Sequence, residues 1–529
     1  MSFRAVVLLA ALNGLVALSY EILWYRAFAF LSWSNVSTFG LLLAFYLLGL
    51  ALGGLWARRI TTAQVATGDA RPLVVLSGLL LTASVTGYLL VPVVARVATV
   101  MHWLPSLLLV PVVTGFSGAT LPLLAHFAIP PDAQAGRRLS LLYLGNIVGA
   151  CLGSFVTGFI LLDVFTLAQV SQGLLLVGLG QSALLLWLGG LPRAIARRHL
   201  ALCGALGLAG LLAAPVLFDR LWERLQWKRE FDRSPSFSRV VENRSGVITV
   251  TTDDVVYGGG IYDGVFNTGL AQDRNNIYRL YVLGALRPEA QDILEIGVAT
   301  GSWTRVLVDL PATRKVTAVE INPGYLPLIA EHAEVSGLLT DPRVDLRIDD
   351  GRRFLKHTDA LYDLIVVNHT WHFVGHSTNL LAVEFFREVK RHLRPGGVFF
   401  YNTTSSVDAL ATGLSLFQYG RRIGTTVAVS DAPLPLDGPG LMAFIEKLQV
   451  AGRSPLEGTT EAERRALIEM PDTTPTGAAL AAEAASGQII TEDNLRTELH
   501  GYPKRETAPS GFLEDVDYFL SWVAYHLFH

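Results

Sequence analysis

The sequence predicts a two-part chain: a polytopic α-helical membrane domain, then an α/β domain built on a doubly wound sheet with a small β unit. Three observations predict it. Apolar stretches of spanning length fill the first 218 residues. A glycine-rich turn follows an apolar strand at 292–302. Three more strands follow, separated by helical segments and ending in polar residues, as a doubly wound sheet requires.

Composition supports the division. Hydrophobic residues make up 51% of the 529 and charged residues only 16%. A mean hydropathy of +0.41 is too apolar for a wholly soluble protein. A net charge of −3 gives no electrostatic footprint for nucleic acid. The two cysteines, Cys151 and Cys203, stand in apolar runs and support neither a disulfide framework nor a zinc site.

In the first part (1–218), seven stretches are long enough to cross the bilayer: roughly 5–31, 36–57, 72–95, 100–128, 139–162, 167–191 and 200–218. Arginines mark alternate loops: Arg58, Arg59 and Arg71; Arg137 and Arg138; Arg193, Arg197 and Arg198. The positive-inside rule assigns these loops, and the N-terminus with them, to the cytoplasm. Seven full crossings would then carry the second part outside. A cytoplasmic catalytic part therefore requires one stretch not to cross, and the first or the last is the candidate. The run Gly145, Gly149, Gly153 gives one helix a smooth packing face. Glu21 and Arg26 are ionisable groups inside the first stretch. They pair with each other or with other helices, or they form a substrate or headgroup site.

Residues 219–240 are charged and read as a linker. Residues 241–288 read as short β strands with glycine turns, then an entry helix near Tyr278. The remainder, 289–529, holds the strands of the main sheet. In 292–302, Gly297 and Gly301 allow a tight turn and close approach to a ligand. The strand 315–321 brings Glu320 to its end, an acceptor suited to ribose hydroxyls. The strand 344–348 ends in Asp349 and Asp350, and the strand 362–368 ends in Asn368. Residues 456–490 read as loop and surface helix, and 511–528 as an amphipathic aromatic helix.

This spacing, the run Asp350-Gly-x-x-Phe-Leu355, the stretch Glu242 to Val250 and Tyr262-Asp263-Gly264 resemble the spermidine synthase-like branch of the S-adenosylmethionine-binding Rossmann fold. The phrases Ser19 to Arg26 and Gly115 to Pro122 extend the resemblance to bacterial chains described as fused transporter-like/spermidine synthase proteins. The resemblance implies a transferase in the bacterial inner membrane with a cytoplasmic catalytic part. It implies S-adenosylmethionine or its decarboxylated form as cosubstrate, held by Glu295, Gly297, Thr300, Gly301, Glu320, Asp349 and Asp350. Tyr257, Asp263, Asn267, Tyr278 and Trp371 would line the substrate side.

The reactive half departs from that pattern. Thr300 stands where these enzymes carry the Asp that holds the propylamine. Asn368 and Trp371 stand at the aspartate pair that binds and deprotonates the polyamine, Asn267 at a Gln, and Tyr278-Arg279-Leu280 at Tyr-His-Glu. An amide takes up no proton near neutrality, so Asn368 is not a base. His369, His372 and His376 are new there. They serve as a general base (His369 or His372), as metal ligands, or as a polar wall; no metal is assigned. The expectation is alkyl transfer from the sulfonium to a small or membrane-presented acceptor other than a plain polyamine. The alternatives are cyclisation or elimination releasing methylthioadenosine, and a ligand-binding transporter or sensor. The bilayer is the expected surrounding, and self-association is left open.

Overall fold

A computed structural model describes residues 2–61, 71–190, 192–368, 371–372, 374–494 and 498. The helices α1 (Phe3–Leu31), α2 (Ser37–Thr61), α3 (Arg71–Val100), α4 (Leu109–Ala128) and α5 (Ala135–Val156) come first. A π-helical stretch, Thr157–Leu161, carries α5 into the short α6 (Leu162–Val164). Then come α7 (Leu167–Leu188) and α8 (Arg193–Leu217). Seven helices among the described residues are long and apolar enough to cross a membrane. Large apolar side chains stay exposed on them, such as Leu52 and Leu55 on α2, Leu144 and Phe155 on α5, and Leu208 and Leu212 on α8. A surface of this kind is costly in water and suits lipid.

The packing fixes the helix directions. A Cβ on Gly149 would lie 1.8 Å from the Ala11 carbonyl oxygen, and one on Gly153 2.3 Å from that of Leu15. The glycine seam therefore packs backbone to backbone on α1, and α1 and α5 run parallel. Gly49 and Gly53 meet Pro111 and Gly115 in the same rising order, so α2 and α4 are parallel too. On α3, Ser77 bonds His199 at 2.7 Å, and Arg96 donates to the Leu217 carbonyl at 2.7 Å; α3 and α8 are parallel. Tyr20 and Trp24 donate to the carbonyls of Ser84 and Gly87, which makes α1 and α3 parallel. Hence α1, α3, α5 and α8 all end at the same face of the bundle. All seven stretches form helices of spanning length and composition, the first and the last included. The chain segments at that face, 32–36, 101–108 and 165–166, contain no Lys or Arg; the arginine-bearing segments lie at the opposite face.

The second half docks on the end reached by α8. The expected linker is structured: α9 (Leu221–Trp227), a 3₁₀ turn and the start of β1 all fall within it. Its cations are engaged, with Arg220 and Arg224 over the Phe231 ring and Lys228 over Trp33. The small β unit is an antiparallel sheet of β1 (Phe237–Asn243), β2 (Gly246–Thr251), β3 (Val255–Gly258) and β4 (Ile261–Val265) in sequence order.

The main sheet contains β5 (Asp292–Ile296), β6 (Lys315–Glu320), β7 (Val344–Ile348), β8 (Tyr362–Val367), β9 (Leu393–Asn402), β10 (Tyr419–Ile423) and β11 (Thr426–Ser430). Its order is β10-β11-β9-β8-β5-β6-β7. The strands β5 to β9 pair in parallel, and β11 and β10 add antiparallel. After β7 the chain crosses back to lay β8 on the other side of β5. The crevice of a doubly wound sheet opens at such a reversal, beyond the carboxyl ends of β5 and β8. The segment 511–528, expected as an amphipathic helix, lies outside the described residues.

Candidate functional site

The crevice is shaped by the turn after β5. Gly297 has φ +91°, and a Cβ there would lie 2.4 Å from the Asn368 carbonyl oxygen. Only glycine permits this contact between the turn and the end of β8. Ala299 takes φ +46°, an uncommon conformation for a residue with a side chain. Gly301, at φ +76°, caps the helix Ser302–Val308.

Glu320, at the end of β6, is buried. Its Oε2 accepts from the N–H groups of Val298 at 2.9 Å and Ala299 at 3.1 Å, and its Oε1 from Asn322 N–H at 2.8 Å. A carboxylate offers about four lone-pair sites and is an acceptor-only group, the type suited to a ligand hydroxyl. Burial raises this carboxyl above its ordinary value, and hydrogen bonds from the backbone N–H groups of Asn322, Ala299, Val298 and Ile321 oppose that. Glu295 is fully buried at the end of β5, and neither carboxyl oxygen meets hydrogen-bonding geometry. Burial pushes it up to about 8, against a lowering by the nearby Thr304 hydroxyl and with a small addition from Glu320.

Asp349 Oδ1 accepts from the Asp350 N–H at 2.8 Å. Asp350 is an exposed N-cap, accepting from the Arg353 N–H at 2.8 Å. Thr300 is buried, and its hydroxyl bonds Ser302 Oγ at 3.2 Å. It packs against Gly264 of the β unit.

Among the residues expected to face substrate, Tyr257 meets Tyr262 edge-on at 6.3 Å. Asp263 accepts from the Tyr325 hydroxyl, and burial pushes it up to about 7, opposed by that bond and reinforced by the Glu320 charge. Asp263 thus braces the β unit against the helix after β6, behind Glu320. Asn267 donates its N–H to Ser302 Oγ at 3.1 Å. The Tyr278 N–H bonds Asp273 Oδ2 at 3.0 Å, and a Cβ on Gly424 would lie 2.6 Å from the Tyr278 hydroxyl. Arg279 is buried. It donates to Asn276 O, Asn275 O and Thr425 Oγ1 and stacks on Trp303 at 5.0 Å. Burial lowers its guanidinium.

Asn368 is half-buried at the end of β8, with its N–H on the Ile296 carbonyl at 3.0 Å. His369 lies outside the described residues. His372 is buried, and its Nδ1 lies 2.6 Å from Thr404 Oγ1 beyond β9. Trp371 is half-buried beside it. The His376 N–H reaches Glu498 Oε2 at 3.2 Å. No cluster of three or more metal-ligating side chains occurs among the described residues.

The helical N-terminal half forms one wall of this region. The Gly375 N–H donates to Ser34 O at 3.0 Å, Asn35 bridges to Val374, and Ser34 Oγ donates to Gly259 O at 3.2 Å. Trp33 and Ser34 make that α1–α2 turn with φ of +58° and +54°. Sequence reasoning did not find Asn243, Asn322, Tyr325 or Thr404. Only Asn322 had a legible signal, as the first residue of an Asn-Pro-Gly turn after a strand.

Residues 281–449 match the family model for the spermine/spermidine synthase domain. A polyamine aminopropyltransferase of Moorella thermoacetica is 34% identical over 121 residues, 23% of this chain and 42% of that protein. The enzyme of the same name from Bacillus subtilis is 29% identical over 117 residues, 22% of this chain and 42% of the relative. The chain therefore spans less than half the length of these two relatives. Among solved structures, the spermidine synthase of Thermotoga maritima is 15% identical, with a TM-score of 0.36, over 47% of this chain and 89% of that one.

Proposed function

With a spermidine synthase domain in the C-terminal half as the premise, we propose that this chain is a membrane-embedded transferase. It acts on S-adenosylmethionine or its decarboxylated form and has an acceptor site remodelled away from polyamines. The observation that carries the reading is the contrast between the two sides of the crevice. The nucleoside side keeps its glycine turn and the buried acceptor Glu320. The acceptor side has Thr300, Asn368 and Trp371 where a polycation would need carboxylates, and Arg279 adds a buried cation. A second positive charge in a site of low polarity repels an ammonium acceptor.

The sulfonium is an activated electrophile. A lone pair attacks the carbon next to sulfur, the C–S bond breaks, and its electrons return to sulfur as a neutral thioether. The protein must hold the reactants in line and exclude water. Glu320 would hold the ribose, Asp350 the adenine amino group, and Glu295 the amine of the cosubstrate. His372, or His369, would take a proton where the nucleophile carries one.

A second reading is favoured by the wall that the α1–α2 turn builds against residues 374–375. A closed acceptor side suits attack within the cosubstrate itself, releasing methylthioadenosine with no acceptor. Mass spectrometry of products from purified protein given each sulfonium separates the readings. An alkylated acceptor indicates transfer, methylthioadenosine alone indicates cyclisation or elimination, and unchanged cosubstrate contradicts both and leaves a binding protein.

A further inference from the structure

We propose that Arg26, in the first membrane helix, is a positioning residue for Glu320, so that the membrane half completes the cosubstrate site. The inference rests on the reading of Glu320 as the ribose acceptor. An unbroken relay connects the two. Arg26 Nη2 donates to the Asn243 carbonyl and, at 2.7 Å, to the Gly246 carbonyl, closing over the β1–β2 turn. Asn243 Oδ1 holds the same turn from within, accepting from Ser245 N–H at 2.9 Å and Gly246 N–H at 3.2 Å. Its Nδ2 donates to Asn322 Oδ1 at 2.7 Å. The Asn322 N–H then donates to Glu320 Oε1 at 2.8 Å. Asn243, Asn322 and Glu320 are all buried, so each loose link would leave a polar group without water to replace its partner.

The turn is seated by more than Arg26. The Leu167 N–H, at the start of α7, donates to Glu242 Oε2 at 2.7 Å, and Trp222 Nε1 to Glu242 Oε1 at 3.0 Å. The Arg244 N–H reaches Asp163 Oδ1 at 3.3 Å. The ends of three membrane helices thus grip one hairpin, and Arg26 bonds the carbonyl of the residue whose side chain continues to Glu320. Docking alone would need the grip but not the continuation. The continuation also leaves no room for a side chain at Gly324: a Cβ there would lie 2.7 Å from Asn243 Nδ2 and 3.0 Å from Asn322 Oδ1.

Calorimetry on the full chain in lipid nanodiscs tests this, with methylthioadenosine and its 2′,3′-dideoxy analogue as probes. Arg26→Gln is expected to weaken methylthioadenosine binding roughly three- to tenfold, the range of coupling within such networks. It should leave the dideoxy analogue unchanged and add no further loss on a Glu320→Gln background. Arg26→Lys, with one ammonium in place of the fork, should recover part of the loss. Gly324→Ala breaks the relay without touching the membrane half and should reproduce the effect if Arg26 variants fail to fold. Equal weakening of both nucleosides would reduce Arg26 to a structural staple and overturn the proposal. So would unchanged binding in Arg26→Gln while Glu320→Gln still weakens it, a result that keeps the ribose reading. Unchanged binding in Glu320→Gln would remove the ribose reading and the proposal together.

Discussion

Gly297 and Asn368 touch through the backbone: the missing Cβ of the first would stand 2.4 Å from the carbonyl oxygen of the second. The nucleoside turn and the end of the strand that faces the acceptor are therefore one rigid unit. A change of residue type at Asn368 would alter the chemistry of the crevice without moving the turn, and on the proposed reading this lets the acceptor side diverge while the cosubstrate side stays.

Glu320→Gln and Asp350→Ala are each expected to weaken nucleoside binding by more than tenfold, since a hydrogen bond to a charged group contributes about 1.5–3 kcal/mol. The two should differ in stability. Asp350 caps a helix from an exposed position, so its loss should cost about 1 kcal/mol of folding free energy. Calorimetry paired with thermal unfolding checks both; unchanged affinity in the two variants would remove this assignment.

Glu295 should make the protein sensitive to pH. Burial raises its carboxyl from 4.5 to about 8, so between those values the folded chain holds a proton that the unfolded chain has released. Its stabilising contribution is full below about pH 4.5 and is lost as pH rises through about 8. Thermal unfolding of Glu295→Gln across that window should show a shallower decline than the parent. A cationic amine beside Glu295 favours the ionised form. Binding of S-adenosylmethionine should therefore tighten as pH rises towards 8, and binding of methylthioadenosine, which lacks the amine, should not. Identical pH profiles for the two ligands would place the amine elsewhere.

His372 is held at its Nδ1 by Thr404 beyond β9. If it takes the proton of the nucleophile, His372→Gln should lower turnover by about 10²–10⁴ while nucleoside affinity stays within twofold, roughly the scale of general-base loss. Full turnover in single and double variants with His369 would leave the histidines as wall.

Much of this was legible in the sequence. The strands β5 to β8 were readable because apolar runs end in glycine or acid at the spacing of a doubly wound sheet. The seven long apolar helices were readable from length and hydropathy. The hairpin β10–β11 was not, since Tyr419–Ile423 carries two arginines and reads as surface. Nor was the fate of Arg26. An arginine in an apolar stretch announces a partner, but its partners are backbone carbonyls more than two hundred residues away, which no side-chain pattern reveals. The Tyr325 hydroxyl that donates to Asp263 was likewise hidden, since residue type alone does not disclose a partner sixty-two positions on.

Seven complete helices set the arginine-rich loops and the catalytic half at opposite ends of the bundle. The positive-inside rule, applied to those loops, would put the C-terminal half on the outer side; a cytoplasmic C-terminal half would put the loops outside, and labelling distinguishes the two. The cations of 219–233 precede a large domain, whose translocation depends little on charge. In a Cys151→Ser, Cys203→Ser background, a membrane-impermeant maleimide should label Asp359→Cys in intact cells and Arg137→Cys only after lysis. The opposite pattern would return the catalytic half to the cytoplasm.

The most direct test of the remodelled acceptor site is product analysis of the full chain in nanodiscs, given each sulfonium with and without a diamine. Thr300 offers no countercharge to a propylamine, and Asn368 offers no base to a polyamine. The expected result is a diamine that is neither alkylated nor able to accelerate thioether release, with no preference for the decarboxylated sulfonium. Rapid aminopropyl transfer from the decarboxylated sulfonium to the diamine would contradict the account.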